Sequence, residues 1–347
     1  MKNTKIKNKT AVVIYNLGGP NKKDEIEFFL FNLFNDKNII NLPNPFRYIL
    51  AKLISKLRKK EATSNYDKLG GKSPLLKNTI KQKEALQKML DKKQYKVFVS
   101  MNFCHPLPQE TIKQITKYNP TNITLIPLYP QFSTTTTASF LEKWNFALSN
   151  SGLNCPQKIT CCYYSQKEFI SSITKIFQTN YDQVLKENGA PYVVFVAHGL
   201  PEKIIKSGDP YQWQIQSTMR LIVESANIQN LDYILAYQSR VGPVSWIKPY
   251  ADQIIIEAAK KNRSILVVPI SFVSEHVETL VELDLEYKEL AMKNGAKAYH
   301  RVKTVSEDDK FIEGLKNIVM DKAYKIAPCP KKFCHCIQKA QLTNAKN

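Results

Sequence analysis

YVVFVAHGLP, residues 192–201, decides the fold: six apolar or aromatic residues in unbroken succession, then histidine, glycine and proline. A continuous apolar run of strand length, closed by turn residues, marks a strand covered on both faces, as in a parallel sheet with helices above and below. Seven more runs of this kind flank it: AVVIYNL (11–17), YKVFVSM (95–101), ITLIPLY (123–129), KITCCYYS (157–164), DYILAYQ (232–238), SILVVPIS (264–271) and KAYHRV (297–302). Longer, helix-patterned stretches separate them, and that alternation predicts an α/β fold with parallel sheets. Four runs precede residue 165 and four follow, so two similar halves are expected. The first half is 1–165 and includes an amphipathic stretch at 39–60. The second is 166–305, opened by a helix at 166–190. A final helix at 306–325 can pack on either half, and a basic, cysteine-containing tail occupies 326–347.

In open parallel sheets ligands bind beyond the carboxyl ends of the strands, so the residues that follow each run matter. They are Gly18-Gly19-Pro20, Asn102-Phe103-Cys104-His105-Pro106 and Tyr129-Pro130-Gln131-Phe132-Ser133 in the first half. In the second they are His198-Gly199-Leu200-Pro201, Gln238-Ser239-Arg240-Val241-Gly242-Pro243 and Ser274-Glu275-His276. The glycine pair is not a GxGxxG fingerprint and no Walker A sequence occurs, so nucleotide binding has little support; a tight strand-to-helix turn is enough to explain these glycines. His198 has the chemistry of a metal ligand or a base near neutral pH, although a strand-end histidine taken alone is more often structural.

Composition sets further bounds. The 347 residues are 43% hydrophobic and 23% charged, a globular balance, and 50 Lys plus Arg against 30 Asp plus Glu give a net charge of +20. Such an excess suits an anionic partner, yet the lysines are spread along the chain and no RNP, zinc-finger or helix-turn-helix signature accompanies them, so no nucleic acid partner is expected. The start, MKNTKIKNKT, lacks the apolar stretch of a signal peptide, and no apolar run is long enough for a membrane-spanning helix. Reduced thiols and a cytoplasmic location are the expectation for the seven cysteines.

Against this basic background the segment 274–289, SEHVETLVELDLEYKE, stands out, with Glu275, Glu278, Glu282, Asp284, Glu286 and Glu289. Glu278, Glu282 and Glu286 recur every four residues, which puts them near one stripe of a helix, with Leu280, Leu283 and Leu285 on the other side. An amphipathic surface helix is the plain reading. The scarcity of acids elsewhere favours a functional one, since carboxylates paired with imidazole suit divalent first-row metals and can relay protons. The stretch 39–60 carries Phe46, Ile49, Leu50, Leu53, Ile54 and Leu57 among Arg47, Lys52, Lys56, Arg58, Lys59 and Lys60. It reads equally as a helix packed on a sheet or as one lying on an anionic membrane. In the tail, Cys329, Cys334 and Cys336 have C-x4-C-x-C spacing, a weak metal signal, and Cys161 and Cys162 fall in a predicted strand, where they suit buried apolar positions.

Taken together, LGGP (17–20), LGGKSPL (69–75), LYPQFS (128–133), AHGLP (197–201), YQSRVGP (237–243) and SEHVETLVELDLEY (274–287) resemble the ferrochelatase family, from about residue 11 to residue 320. The resemblance implies two Rossmann-like domains with a porphyrin cleft between them. It implies a lyase that inserts Fe²⁺ into protoporphyrin IX in the last step of haem biosynthesis. His198 and Glu278 would be the catalytic and metal-binding pair, Glu275, Glu282 and Glu286 an acidic path for metal or protons. Leu17, Tyr66, Ser73, Tyr129, Arg240 and Trp246 would line the porphyrin site. Leu17 points to protoporphyrin IX, because relatives acting on coproporphyrin tend to have tyrosine there. The 39–60 stretch corresponds to the family's apolar lip, which implies peripheral attachment to the inner face of a membrane, and the chain would be a monomer or a homodimer. No cofactor beyond substrate Fe²⁺ is implied. A [2Fe–2S] cluster, present in some relatives, loses its upstream ligand here to Thr134, although three tail cysteines remain. Asn102-Phe103-Cys104 stands where the family often has a basic residue. Coproporphyrin or another tetrapyrrole as substrate, and non-catalytic haem binding, are the alternatives.

Overall fold

Two four-stranded, all-parallel sheets form the scaffold. The computed structural model describes residues 9–320; Cys329, Cys334 and Cys336 lie outside them. The first sheet holds β1 (Thr10–Asn16), β2 (Tyr95–Met101), β3 (Asn122–Pro127) and β4 (Gln157–Ile159), in the order β2-β1-β3-β4. The second repeats the pattern with β5 (Tyr192–His198), β6 (Tyr233–Gln238), β7 (Ser264–Pro269) and β8 (Ala298–Arg301), in the order β6-β5-β7-β8. Each half therefore reverses direction beside its first strand, at β1/β3 and at β5/β7, the place where such sheets open to ligands.

The helices explain why the strands are apolar on both faces. They are α1 (Ile26–Phe34), α2 (Phe46–Asp67), α3 (Leu75–Met89), α4 (Pro108–Tyr118), α5 (Ser139–Ser149), α6 (Lys167–Asn188), α7 (Glu202–Lys206), α8 (Tyr211–Ala226), α9 (Ala251–Lys260), α10 (Tyr287–Lys293) and α11 (Asp309–Val319). One core layer runs between the sheets and serves both. It joins Val12 and Ile14 of β1, Phe169, Ile173 and Phe177 of α6, Phe195 of β5 and Phe311 and Leu315 of α11. The last helix packs on α6 and α3 at once, so it ties the halves together instead of choosing one.

Polar side chains cross the same seam, each satisfied as burial demands. Gln82 donates to the carbonyls of Val273 and Ser306 at 2.8 Å and accepts from Ser274 Oγ at 2.9 Å. Asp209 accepts from Ser133 Oγ at 3.1 Å and from Thr134 N and Oγ1 at 2.7 Å each. Thr134 thus has a structural partner in the second half.

Three expectations need correction. The 157–164 run is a strand only over Gln157–Ile159; beyond it the chain leaves the sheet edge to bury Cys162, Tyr163 and Tyr164 between elements of both halves, so Cys161 and Cys162 follow the strand. The 39–60 helix begins only at Phe46, since Pro43 and Pro45 interrupt it, and it runs on to Asp67. Its face is also informative. Ala51, Ser55 and Tyr66 are buried, whereas Phe46 (66% exposed), Ile49 (61%), Leu53 (54%) and Leu57 (71%) form an outward apolar stripe. Lastly, Leu285 does not share the buried side of the acidic segment with Leu283; it is 47% exposed. Glu278–Glu286 is a wide π-type helix, in which Tyr287 N–H bonds back five residues to Glu282 O, and that longer step turns Leu285 outward.

Candidate functional site

β5 ends at His198, paired in register with Gln238 at the end of β6. The backbone holds the histidine from several directions: its N–H donates to Ser271 Oγ at 3.2 Å, and its carbonyl accepts from Tyr211 Oη at 3.0 Å. Gly199 N–H donates to Gln238 O at 2.8 Å, and a Cβ on Gly199 would come within 2.9 Å of that oxygen and 3.2 Å of the Trp246 ring. The ring is oriented as firmly. Nδ1 lies 2.6 Å from Gly199 O; a carbonyl only accepts, so Nδ1 carries a proton and, in the neutral imidazole, Nε2 has the free lone pair.

That Nε2 faces Glu278 Oε2 at 3.8 Å. From the other side His276 Nε2 approaches the same oxygen at 3.9 Å, with its Nδ1 held 3.2 Å from Ser274 O. Glu278 Oε2 is buried and has no hydrogen-bond partner. Two imidazole nitrogens thus face one buried carboxylate oxygen that has no hydrogen-bond partner, an arrangement that suits the taking up of a proton. Among the described residues no group of three or more His, Cys, Asp or Glu side chains is arranged to hold a metal ion by itself.

The wide helix also sorts its acids. Burial would push the Glu278 carboxyl up, but the neighbouring imidazoles His198 and His276, when charged, outweigh it and hold the group below its ordinary value. Glu282 goes the other way, raised by burial and by the charge of Glu278. Its carboxyl accepts from Ser239 N at 3.0 Å, Ser239 Oγ at 2.5 Å, Gln238 Nε2 at 3.0 Å and Tyr287 Oη at 3.0 Å. Two carboxyls pushed apart in this way are suited to different proton-transfer roles. Glu286 lies at the exposed end of the row, 3.2 Å from Lys68 Nζ. Glu275 is not part of the row: it pairs with Arg301 at 2.9 Å.

Of the remaining sequence-derived residues, Trp246 touches the histidine and Tyr66 feels the charge of Glu278, while the others have their own surroundings. Trp246 is nearly buried, with its ring 6.4 Å from that of His198 and its indole N–H on Val241 O. Tyr66 is buried at the end of α2 in a cluster with Phe103 and Cys104, against which Leu17 and Val277 pack; burial, helped by the charge of Glu278, raises its phenol. Ser73 spends its hydroxyl on Leu75 N–H, and it stands so close to the first glycine turn that a Cβ on Gly19 would lie 2.6 Å from its Oγ. Gly18 has φ +90° and no room beside Cys104 Sγ. The two glycines are thus fixed by close approach. The Cys104 thiol accepts from Gly19 N–H at 3.1 Å, and burial pushes it up to about 12. Arg240 lies over the Tyr250 ring and pairs with Asp252. Tyr129 packs edge-on to Tyr15, with its hydroxyl enclosed and lacking a protein partner. His276 is the participant that the sequence reading did not single out; its signal was the HVE triplet at 276–278.

A family model described as Ferrochelatase matches residues 9–323. Similar proteins include the ferrochelatase of Rickettsia bellii (strain OSU 85-389), 47% identical over 346 residues and 95% of each chain. That of Rickettsia felis is 45% identical over 98% of this chain and 100% of the other, and that of Pelagibacter ubique 44% identical over 94% and 98%. Among solved structures, SirB from Bacillus subtilis with Fe³⁺ superposes with a TM-score of 0.55 at 13% identity, over 91% of this chain and 96% of that one. The sirohydrochlorin chelatase SirB from Bacillus subtilis subspecies spizizenii in complex with cobalt gives 0.53 at 10%, over 91% and 95%. At such low identity the likeness shows the two-half α/β fold alone.

Proposed function

The chain belongs to the ferrochelatase family, and from that premise we propose that it inserts Fe²⁺ into protoporphyrin IX between its two halves, with His198 and Glu278 acting as a pair at the ring nitrogens. The observation that carries this is the approach of His198 Nε2 and His276 Nε2 to the buried, unpartnered Glu278 Oε2. A free porphyrin brings two pyrrole N–H protons and the iron brings two positive charges. As the metal–nitrogen bonds form, both protons must leave. His198 and Glu278 can each take a proton or hold the incoming ion. Glu282, with its raised affinity for a proton, is the next station, and Glu286 beside Lys68 the exit to solvent.

Leu17, Tyr66, Ser73, Tyr129, Arg240 and Trp246 would line the macrocycle. The cluster of Leu17, Tyr66 and Phe103 is apolar, and this favours protoporphyrin IX, whose two vinyl groups replace two of the carboxylates of coproporphyrin. Burying unpaired charge against such a surface is costly. The test is anaerobic insertion of Fe²⁺, and separately Zn²⁺, into each porphyrin, followed by the Soret band and by loss of porphyrin fluorescence. A kcat/KM at least about tenfold higher for protoporphyrin IX is expected, on the cost of the extra charges. Faster metalation of coproporphyrin would transfer the activity to that substrate, and tight haem binding without metalation would leave a haem carrier.

The outward stripe of α2, flanked by Lys52, Lys56, Lys59 and Lys60, would seat the porphyrin mouth on an anionic bilayer. Among the described residues no helix is long and apolar enough to cross a membrane. Leu53→Glu combined with Leu57→Glu removes two side chains worth about 1.5 kcal/mol or more each when buried in lipid. Co-sedimentation with phosphatidylserine-containing vesicles should then fall at least about tenfold, by the same arithmetic. Equal retention of the wild type and the variant would exclude the stripe as the contact.

A further inference from the structure

Arg301 ends β8 at the same carboxyl edge as His198, and its side chain is only 5% exposed. Its guanidinium holds two carboxylates. Nε and Nη2 each donate to Asp284 at 2.6 Å, and Nη1 donates to both oxygens of Glu275 at 2.9 and 3.0 Å. Glu275 also accepts from Thr304 N–H at 2.9 Å, and its carbonyl accepts from Asn78 Nδ2 at 2.9 Å. Two places along the chain, one either side of His276, Glu278 and Glu282, are therefore fastened to one side chain. Tyr299, on the same face of β8, adds a third tie by donating to Leu283 O at 2.6 Å. A π-type helix is seldom stable on local terms; here it is held by tertiary bonds.

We propose that Arg301 is a positioning residue for metal insertion: by clamping Glu275 and Asp284 it fixes the wide helix so that Glu278 Oε2 stands opposite His198 Nε2. The inference rests on the reading of Glu278 given above. It makes Glu275 part of the scaffold and not a station for iron or protons.

Arg301→Lys keeps the charge but cannot bind two carboxylates as a planar fork. In the full chain it should raise KM for Zn²⁺ roughly tenfold or more and lower kcat, while the Kd for protoporphyrin IX, read by fluorescence quenching, stays within about twofold, the pattern of a disturbed outer support around a metal site. Asp284→Asn, which weakens one arm only, should move the same parameters in the same direction by less, and it carries the test if the lysine variant does not fold. Wild-type metal kinetics in the folded variants would overturn the proposal. So would a fall in porphyrin affinity and thermal midpoint alongside the rise in metal KM, since that marks general loosening. If Glu278→Gln disables the enzyme while Arg301→Lys does not, only this inference fails; if Glu278→Gln is itself silent, the reading beneath it fails.

Discussion

His198→Ala should lower kcat for metal insertion about 100- to 10,000-fold, the range for removing a positioned acid–base group, with porphyrin affinity nearly unchanged. The histidine ring is about a third exposed, and its one hydrogen bond is to the neighbouring Gly199 carbonyl. Its loss leaves the strand, the Gly199 turn and the Trp246 wall in place. What disappears is Nε2, the atom facing Glu278. The readout is single-turnover metalation of protoporphyrin IX by Zn²⁺, with fluorescence quenching as the separate measure of porphyrin binding. If the imidazole chiefly accepts a proton, kcat falls while the metal KM holds. If it chiefly binds the ion, the metal KM rises as well. Added imidazole that restores part of the rate would assign the defect to the missing ring. A folded variant with near-normal turnover removes His198 from the reaction.

The fold was largely legible because both sheets are covered on both sides. That makes the inner strands continuous apolar runs, and the runs at 11–17, 95–101, 192–197 and 264–271 coincide with strands to within a residue or two. The edge strand β4 was read too long, since Thr160–Tyr164 is apolar for a different reason: it crosses into the core shared by the halves. Periodicity marked the stripe on α2 but not the direction it faces, which depends on what α1 covers.

The acidic segment shows the same limit more sharply. Spacing by four aligned Glu278, Glu282 and Glu286, yet it contained no sign of the wider helical step that turns Leu285 outward. Nor could it separate Glu275 from its neighbours. The partner that removes Glu275 from the row is Arg301, 26 positions further on, and only the β7–β8 pairing brings it there. His276 is buried, and a buried histidine next to an acid leaves no periodic trace.

Glu278→Gln should lower kcat/KM for metal insertion about 100-fold or more, as expected for loss of a positioned carboxylate, although the side chain keeps its size. The amide cannot take a proton in the working range and is a poor ligand for a divalent ion, and its NH₂ can donate to His198 or His276 and so occupy the lone pairs left facing the site. Glu278→Asp restores the charge on a shorter stem and should recover part of the rate. The double variant His198→Ala/Glu278→Gln is the sharper measurement. Two groups that act on one event are not additive, so its kcat/KM should lie within about tenfold of the worse single variant. Independent roles, with one group delivering metal and the other removing protons in separate steps, predict instead the product of the two single losses. The size of the double loss therefore decides whether the 3.8 Å approach of His198 to Glu278 is one working unit or two neighbours.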